Sequence, residues 1–137
     1  MNDKRQLIAS IPLFATLPGS KLKEVARSSD VISVPAGTTI VAEGTFTREI
    51  CFLTSGSATV VRDGEPIATL SQGDYFGELS LIDGQPRSAS VVADTDVELL
   101  IVNKREFNAL LETCPPVARE LMVGMSARLR EQPLPLG

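Results

Sequence analysis

Histidine is absent from all 137 residues, which removes both the commonest general base and the commonest metal ligand. Histidine-based catalytic triads and histidine-bound metals are therefore excluded. Cysteine is nearly as scarce: Cys51 and Cys114 supply neither the density of a disulfide scaffold nor a CxxC spacing, and they read as buried structural thiols of a reducing cytosol. An excess of basic charge is also lacking, because 13 Lys and Arg face 17 Asp and Glu for a net charge of -4. Direct nucleic-acid binding is not expected from that balance. No apolar run approaches the roughly 18 residues of a membrane helix, and Met1 to Gln6 leads into too short an apolar stretch for a signal peptide. The expected location is the cytoplasm. Internal repeats and low-complexity segments are missing as well.

What the chain does have is 43% apolar residues, enough for one continuous core without disulfides or metals. From about Gln6 to Ser28 apolar side chains recur at helical spacing in two pieces, punctuated by Pro12 and Pro18-Gly19. Pro18 suits the first turn of the second piece. From Asp30 the pattern changes to short β-branched runs between turn residues, giving strands over residues 31–34, 38–41, 50–54, 57–62 and 66–70, a short one at 75–76, then 88–93 and 97–103. Asp63-Gly64 predicts a tight hairpin. Eight strands with short connections predict a mainly β fold with flanking α-helices, a jelly-roll-like double Greek key whose concave face can hold a ligand.

From Asn103 the period is helical again, with Phe107, Leu110 and Leu111 on one face until Cys114-Pro115-Pro116 breaks it. Pro116 can begin a new helix. That last helix, about Val117 to Arg130, carries Leu121, Met122, Met125 and Leu129 as an apolar stripe. Leu134 to Gly137 reads as a frayed tail. The expected organisation is one domain: an N-terminal helical segment (1–29), a β-roll (30–103), a hinge with two C-terminal helices (104–131) and a tail (132–137).

One stretch stands out chemically, Phe76-Gly77-Glu78-Leu79-Ser80-Leu81 followed by Pro86-Arg87-Ser88-Ala89-Ser90-Val91. A short helix starting near Gly77 or Glu78 aims free backbone N–H groups at an anion. Arg87 adds a planar fork able to pair with two phosphate oxygens, on a loop that Pro86 restricts. Glu78 would repel that phosphate, so it must face something else, and a ribose hydroxyl is a natural donor to it. Taken alone, the Glu78 and Arg87 pair fits a loop salt bridge better than a binding site; the whole run does not.

This stretch resembles the phosphate-binding cassette (76–91) of the cyclic nucleotide-binding domains of catabolite activator proteins, protein kinase A regulatory subunits and cyclic-nucleotide-gated channels. Gly37, Gly44, Gly56 and Gly73 fall where that fold turns its β-roll corners, and the resemblance covers about residues 6 to 130. It implies an eight-stranded β-roll, also described as a double-stranded β-helix. It implies that Gly77, Glu78, Leu79, Ser80, Arg87, Ser88 and Ala89 hold phosphate and ribose. Glu78 would take the ribose, Ser80 and Ala89 would offer backbone N–H groups, and Ser88 a hydroxyl near phosphate or base. Val60 and Ala68 would flank the base, with Leu121, Met122 and Met125 as candidates for a lid, or else for core or a dimer seam. Arg128 stands where channel-type members place an arginine on the base, and otherwise reads as a solvated charge.

The expected function is a cytosolic regulatory domain that binds a cyclic nucleotide, cAMP ahead of cGMP, and switches the position of its last helix. No general base, nucleophile or metal cluster is evident, so neither catalysis nor a cofactor is expected. The expected partners are the nucleotide and an effector protein or domain, with a homodimer through the last helix as a further option. With no helix-turn-helix, kinase or channel segment in the sequence, the expectation is either a stand-alone sensor acting through a partner or a segment of a longer protein, and the Pro-rich end at 132–135 fits a linker. Two other readings compete. A jelly-roll metalloenzyme of the cupin type shares the β-architecture but lacks its histidine ligands here, and an interaction module would keep only a vestigial pocket.

Overall fold

A computed structural model describes residues 3–46 and 48–131. Among the described residues, eight strands form two antiparallel four-stranded sheets. The first has the order β1 (Asp30–Val34), β8 (Val97–Asn103), β3 (Glu49–Ser55), β6 (Tyr75–Phe76). The second has the order β2 (Thr39–Val41), β7 (Ser90–Ala93), β4 (Ala58–Arg62), β5 (Glu65–Leu70). This is the jelly-roll architecture expected from the strand pattern.

The alternation along β3 explains the layering. Side chains of a strand point to opposite faces in turn, and β3 is apolar on both. Ile50 and Phe52 join a cluster with the helices, whereas Cys51 and Leu53 join a second cluster between the two sheets. In β8, Leu100 and Val102 go to the helical side and Val97 and Leu99 to the other. The first sheet is thus the middle of three layers, which is why its central strands read as nearly continuous apolar runs. Phe14, Phe52 and Phe107 are fully buried in the helical cluster, each contributing on the order of 2–3 kcal/mol by burial.

The helices are α1 (Asp3–Ala9), α2 (Gly19–Ser28), α3 (Glu78–Asp83), α4 (Lys104–Thr113) and α5 (Pro115–Glu131). Several boundaries differ from expectation. The N-terminal segment contains three helical pieces, because a 3-10 turn at Pro12–Phe14 stands between α1 and α2. Pro18 lies just outside α2 with an extended ψ of 154°; its ring fixes φ only, and the first helical residue is Gly19. Strand β7 starts at Ser90 rather than Ser88. Helix α5 starts at Pro115, two residues before Val117, since prolines in a first turn forfeit only N–H groups that have no helical acceptor.

The hairpin at Asp63-Gly64 forms as expected, with φ of 52° and 80° and Arg62 paired to Glu65. Asn103 caps α4 by accepting from the Glu106 N–H at 2.8 Å. The expected frayed tail, 134–137, lies outside the described residues.

The expected stripe on α5 is corrected. Val117 and Leu121 are buried and Met125 packs against the same cluster, whereas Met122 and Leu129 are 63% and 57% exposed. Met122 is turned about 100° round the helix from Leu121, while Leu129 continues the spacing of four one turn past Met125 and is exposed there.

Candidate functional site

The acidic end of the site begins at β6, whose Tyr75 and Phe76 pair with Phe52 and Cys51 of β3. Gly77 then turns the chain into α3 with φ of 99°. A Cβ there would lie 2.7 Å from Arg87 Nη1 and 2.8 Å from the Glu49 carbonyl oxygen. Glycine is required twice, by the backbone angle and by the guanidinium lying against it. Glu78 follows as the first residue of α3 and is only 5% exposed.

Arg87 returns from the loop after α3 and is 7% exposed. Its backbone is clamped on both sides by the loop between β2 and β3: its N–H donates to Thr45 O at 2.7 Å, and its carbonyl accepts from Gly44 N–H at 2.9 Å. Its guanidinium lies 6.0 Å from the centre of the Phe76 ring and against the Cys51 thiol. Ser88 is exposed and Ala89 buried, and Arg62 Nε donates to Ser88 O at 3.1 Å. The fold therefore brings Gly77, Glu78, Arg87, Ser88 and Ala89 together. Leu79 and Ser80 lie within α3, with side chains outside the described residues.

Burial governs the electrostatics. It pushes the Glu78 carboxyl up from its ordinary value, against the pull of Arg128, of its own backbone N–H and of Arg87. Burial also lowers Arg87, against the attraction of Cys51, Glu49 and Glu78. The Cys51 thiol is raised to about 11 by burial, despite Arg87, and stays protonated at neutral pH. Two groups of opposite sign are thus held where each is costly to charge. Such a pair suits a ligand carrying both an anion and a hydroxyl.

Helix α5 closes the other side. Arg128 Nη1 lies 3.1 Å from both Oε1 and Oε2 of Glu78. Its Nη2 donates to the Tyr75 carbonyl, and its guanidinium stacks 4.5 Å from the centre of the Tyr75 ring. Arg128 is thereby engaged by Glu78 and Tyr75, and is not a free solvated charge. Of the other base-pocket candidates, Val60 and Ala68 are partly buried register partners across β4 and β5, and Met125 packs into the helical cluster.

Tyr75 and Gly124 are the participants that sequence reasoning missed. Tyr75 Oη is buried with no hydrogen-bond partner among the described residues, and a Cβ on Gly124 would approach it to 2.5 Å. The signal was available, since a glycine inside a helix costs about 1 kcal/mol relative to alanine and marks a close approach. Two surface hollows of about 460 and 290 Å³ lie elsewhere, one beside Ser33, Asp96 and Glu98, the other beside Pro12 and Gln72. Neither includes Glu78 or Arg87. Among the described residues no helix is long and apolar enough to cross a membrane, and no group of three or more Cys, Asp or Glu is placed to hold a metal ion.

The family model described as "Cyclic nucleotide-binding domain" matches residues 31–114. The chain is 37% identical over 114 residues to a cAMP-dependent protein kinase regulatory subunit of Aspergillus niger, covering 82% of this chain and 28% of that protein. It is 37% identical over 116 residues to a cyclic nucleotide-gated potassium channel of Rhizobium etli, covering 85% and 32%. The crystal structure of Thermus thermophilus catabolite activator protein superposes with a TM-score of 0.75 at 33% identity, over 88% of this chain and 59% of that one. The chain thus spans about a third of the length of these two curated relatives.

Proposed function

Because the chain belongs to the cyclic nucleotide-binding domain family, we propose that it is a cytoplasmic sensor module whose ligand is cAMP, bound without chemical change. The observation that carries this reading is the buried pair Glu78 and Arg87 on either side of Gly77. Arg87 is assigned to the cyclic phosphate, which a guanidinium can meet with two parallel hydrogen bonds. Glu78 is assigned to the free ribose hydroxyl, with the Ser80 and Ala89 N–H groups and the Ser88 hydroxyl completing the cradle. Gly77 and Leu79 supply backbone at the start of α3. Val60, Ala68 and Met125 are assigned to the base.

Binding is converted to output by a population shift in α5 about the hinge at Cys114-Pro115. The exposed Met122, Val123 and Leu129 of α5 offer the surface through which that shift reaches an effector protein, an attached domain or a second copy. Titration calorimetry with cAMP and cGMP tests the reading. The expected result is saturable binding with cAMP the tighter. The absence of heat with cAMP, cGMP and a cyclic dinucleotide would sink it.

A further inference from the structure

We propose that Arg62 is a positioning residue for the phosphate cradle: by holding the carbonyl of Ser88 it aims the N–H of Ala89 into the site. The inference rests on the nucleotide reading above and concerns how one donor of that site is set. Three successive peptide units around Arg87 are each held on one side. The N–H of Arg87 donates to Thr45 O at 2.7 Å and its carbonyl accepts from Gly44 N–H at 2.9 Å, so the first two are fixed by the backbone of a neighbouring loop. The third, joining Ser88 to Ala89, is fixed by a side chain, with Arg62 Nε donating to Ser88 O at 3.1 Å. The carbonyl and N–H of a trans peptide point in opposite directions. Holding the Ser88 oxygen therefore sets the direction of the Ala89 N–H.

That N–H has the mark of a ligand donor. Ala89 is 8% exposed, and its N–H meets no acceptor among the described residues, whereas buried backbone donors are ordinarily paired. Arg62 is itself held in place. It is the last residue of β4, and just beyond it the Asp63 N–H donates to Glu43 Oε1 at 3.0 Å, while the Glu43 N–H donates to Ser90 Oγ at 2.9 Å. The hairpin is thereby tied to the strand that follows the cradle. Among the described residues no carboxylate forms an ion pair with Arg62, although Glu65 stands opposite it in register. Its charge acts on the Ser88 carbonyl instead, and a cation on that oxygen makes the N–H at the other end of the same peptide a stronger donor.

The test is titration of cAMP and of its two phosphorothioate diastereomers against the wild-type chain and R62A. Removing the guanidinium should weaken cAMP about three- to tenfold, the net worth of one hydrogen bond. The diastereomer whose sulfur replaces the oxygen facing the Ala89 N–H has little bond there to lose and should barely change, while the other should weaken as cAMP does. A guanidinium acting only as a distant charge would affect both alike. In the cAMP complex the Ala89 amide proton should also move upfield in R62A, read by NMR. R62M keeps the side-chain stem without a donor, should behave as R62A does, and stands in should R62A fail to fold. Equal weakening of both diastereomers, or an unchanged affinity for cAMP, overturns the proposal and leaves the sensor reading intact. Failure of the wild-type chain to bind cAMP overturns the sensor reading and the proposal with it.

Discussion

Glu78 and Arg87 carry opposite charges into a site where water is largely excluded, and the sign of the consequence can be worked out for each. The folded-state carboxyl of Glu78 lies above its ordinary value because burial outweighs the pull of Arg128. A group raised in this way contributes stability that is fully present below the unfolded-chain value, near pH 4.3, and is lost as pH rises through the folded value. Glu78→Gln removes that dependence. Its melting temperature relative to wild type should therefore rise as pH goes from about 4 to 7, as scanning calorimetry at several pH values would register; a gap that narrows over that range would contradict the assignment. For Arg87 the expectation concerns binding. Arg87→Ala should weaken cAMP by roughly 2–5 kcal/mol, as when a buried charge loses its partner, and an unchanged affinity would remove Arg87 from the site.

At the scale of elements, the strands were legible and the last helix only partly so. A strand is specified by its own alternation and by turn residues beside it: Asp63-Gly64 marked the β4–β5 hairpin, and Ile50 to Leu53 marked a strand buried on both faces. A helix with apolar residues on several sides is specified from outside. Val117, Leu121 and Met125 join the cluster that holds Tyr75 and the tilted Phe14–Phe52 pair, whose ring centres lie 4.8 Å apart, whereas Met122 and Leu129 are exposed. None of those contacts is local in sequence. The pairing of Arg128 with Glu78, 50 residues apart, was illegible for the same reason, whereas the short loop from Glu78 to Arg87 was readable from spacing and residue type. Gly124 tests how α5 is held. Alanine there gains about 1 kcal/mol of helix propensity, but its Cβ would meet Tyr75 Oη at 2.5 Å. The ring cannot easily retreat, with Phe52 5.8 Å away on one side and Arg128 stacked on it. Gly124→Ala should lower the melting temperature and speed amide exchange along α5. A gain in stability equal to the propensity term would mean that α5 and Tyr75 are not packed as described.

For the whole molecule, the three-layer arrangement separates stability from recognition. The cluster on the helical side of the first sheet holds Ile8, Phe14, Phe52, Phe107 and Leu110, while Arg87 lies against Gly77 and Cys51. Two substitutions should therefore dissociate the properties. Phe107 is fully buried on α4, and Phe107→Ala should cost about 3–5 kcal/mol of stability through lost burial and the cavity left behind. Phe107 packs on the helical side of the first sheet, whereas Arg87 lies against Cys51, which belongs to the cluster on its other side, so ligand affinity should survive. A nucleotide at one hundred times its Kd adds about 2.7 kcal/mol to a native state that alone binds it, or roughly 10 °C in a domain of this size. Phe107→Ala should start from a lower melting temperature and show that full increment on adding cAMP. Arg87→Ala should start closer to wild type and show little of it. Loss of the increment in Phe107→Ala at saturating cAMP would mean that the packing of Phe107 on α4 is needed to form the nucleotide site.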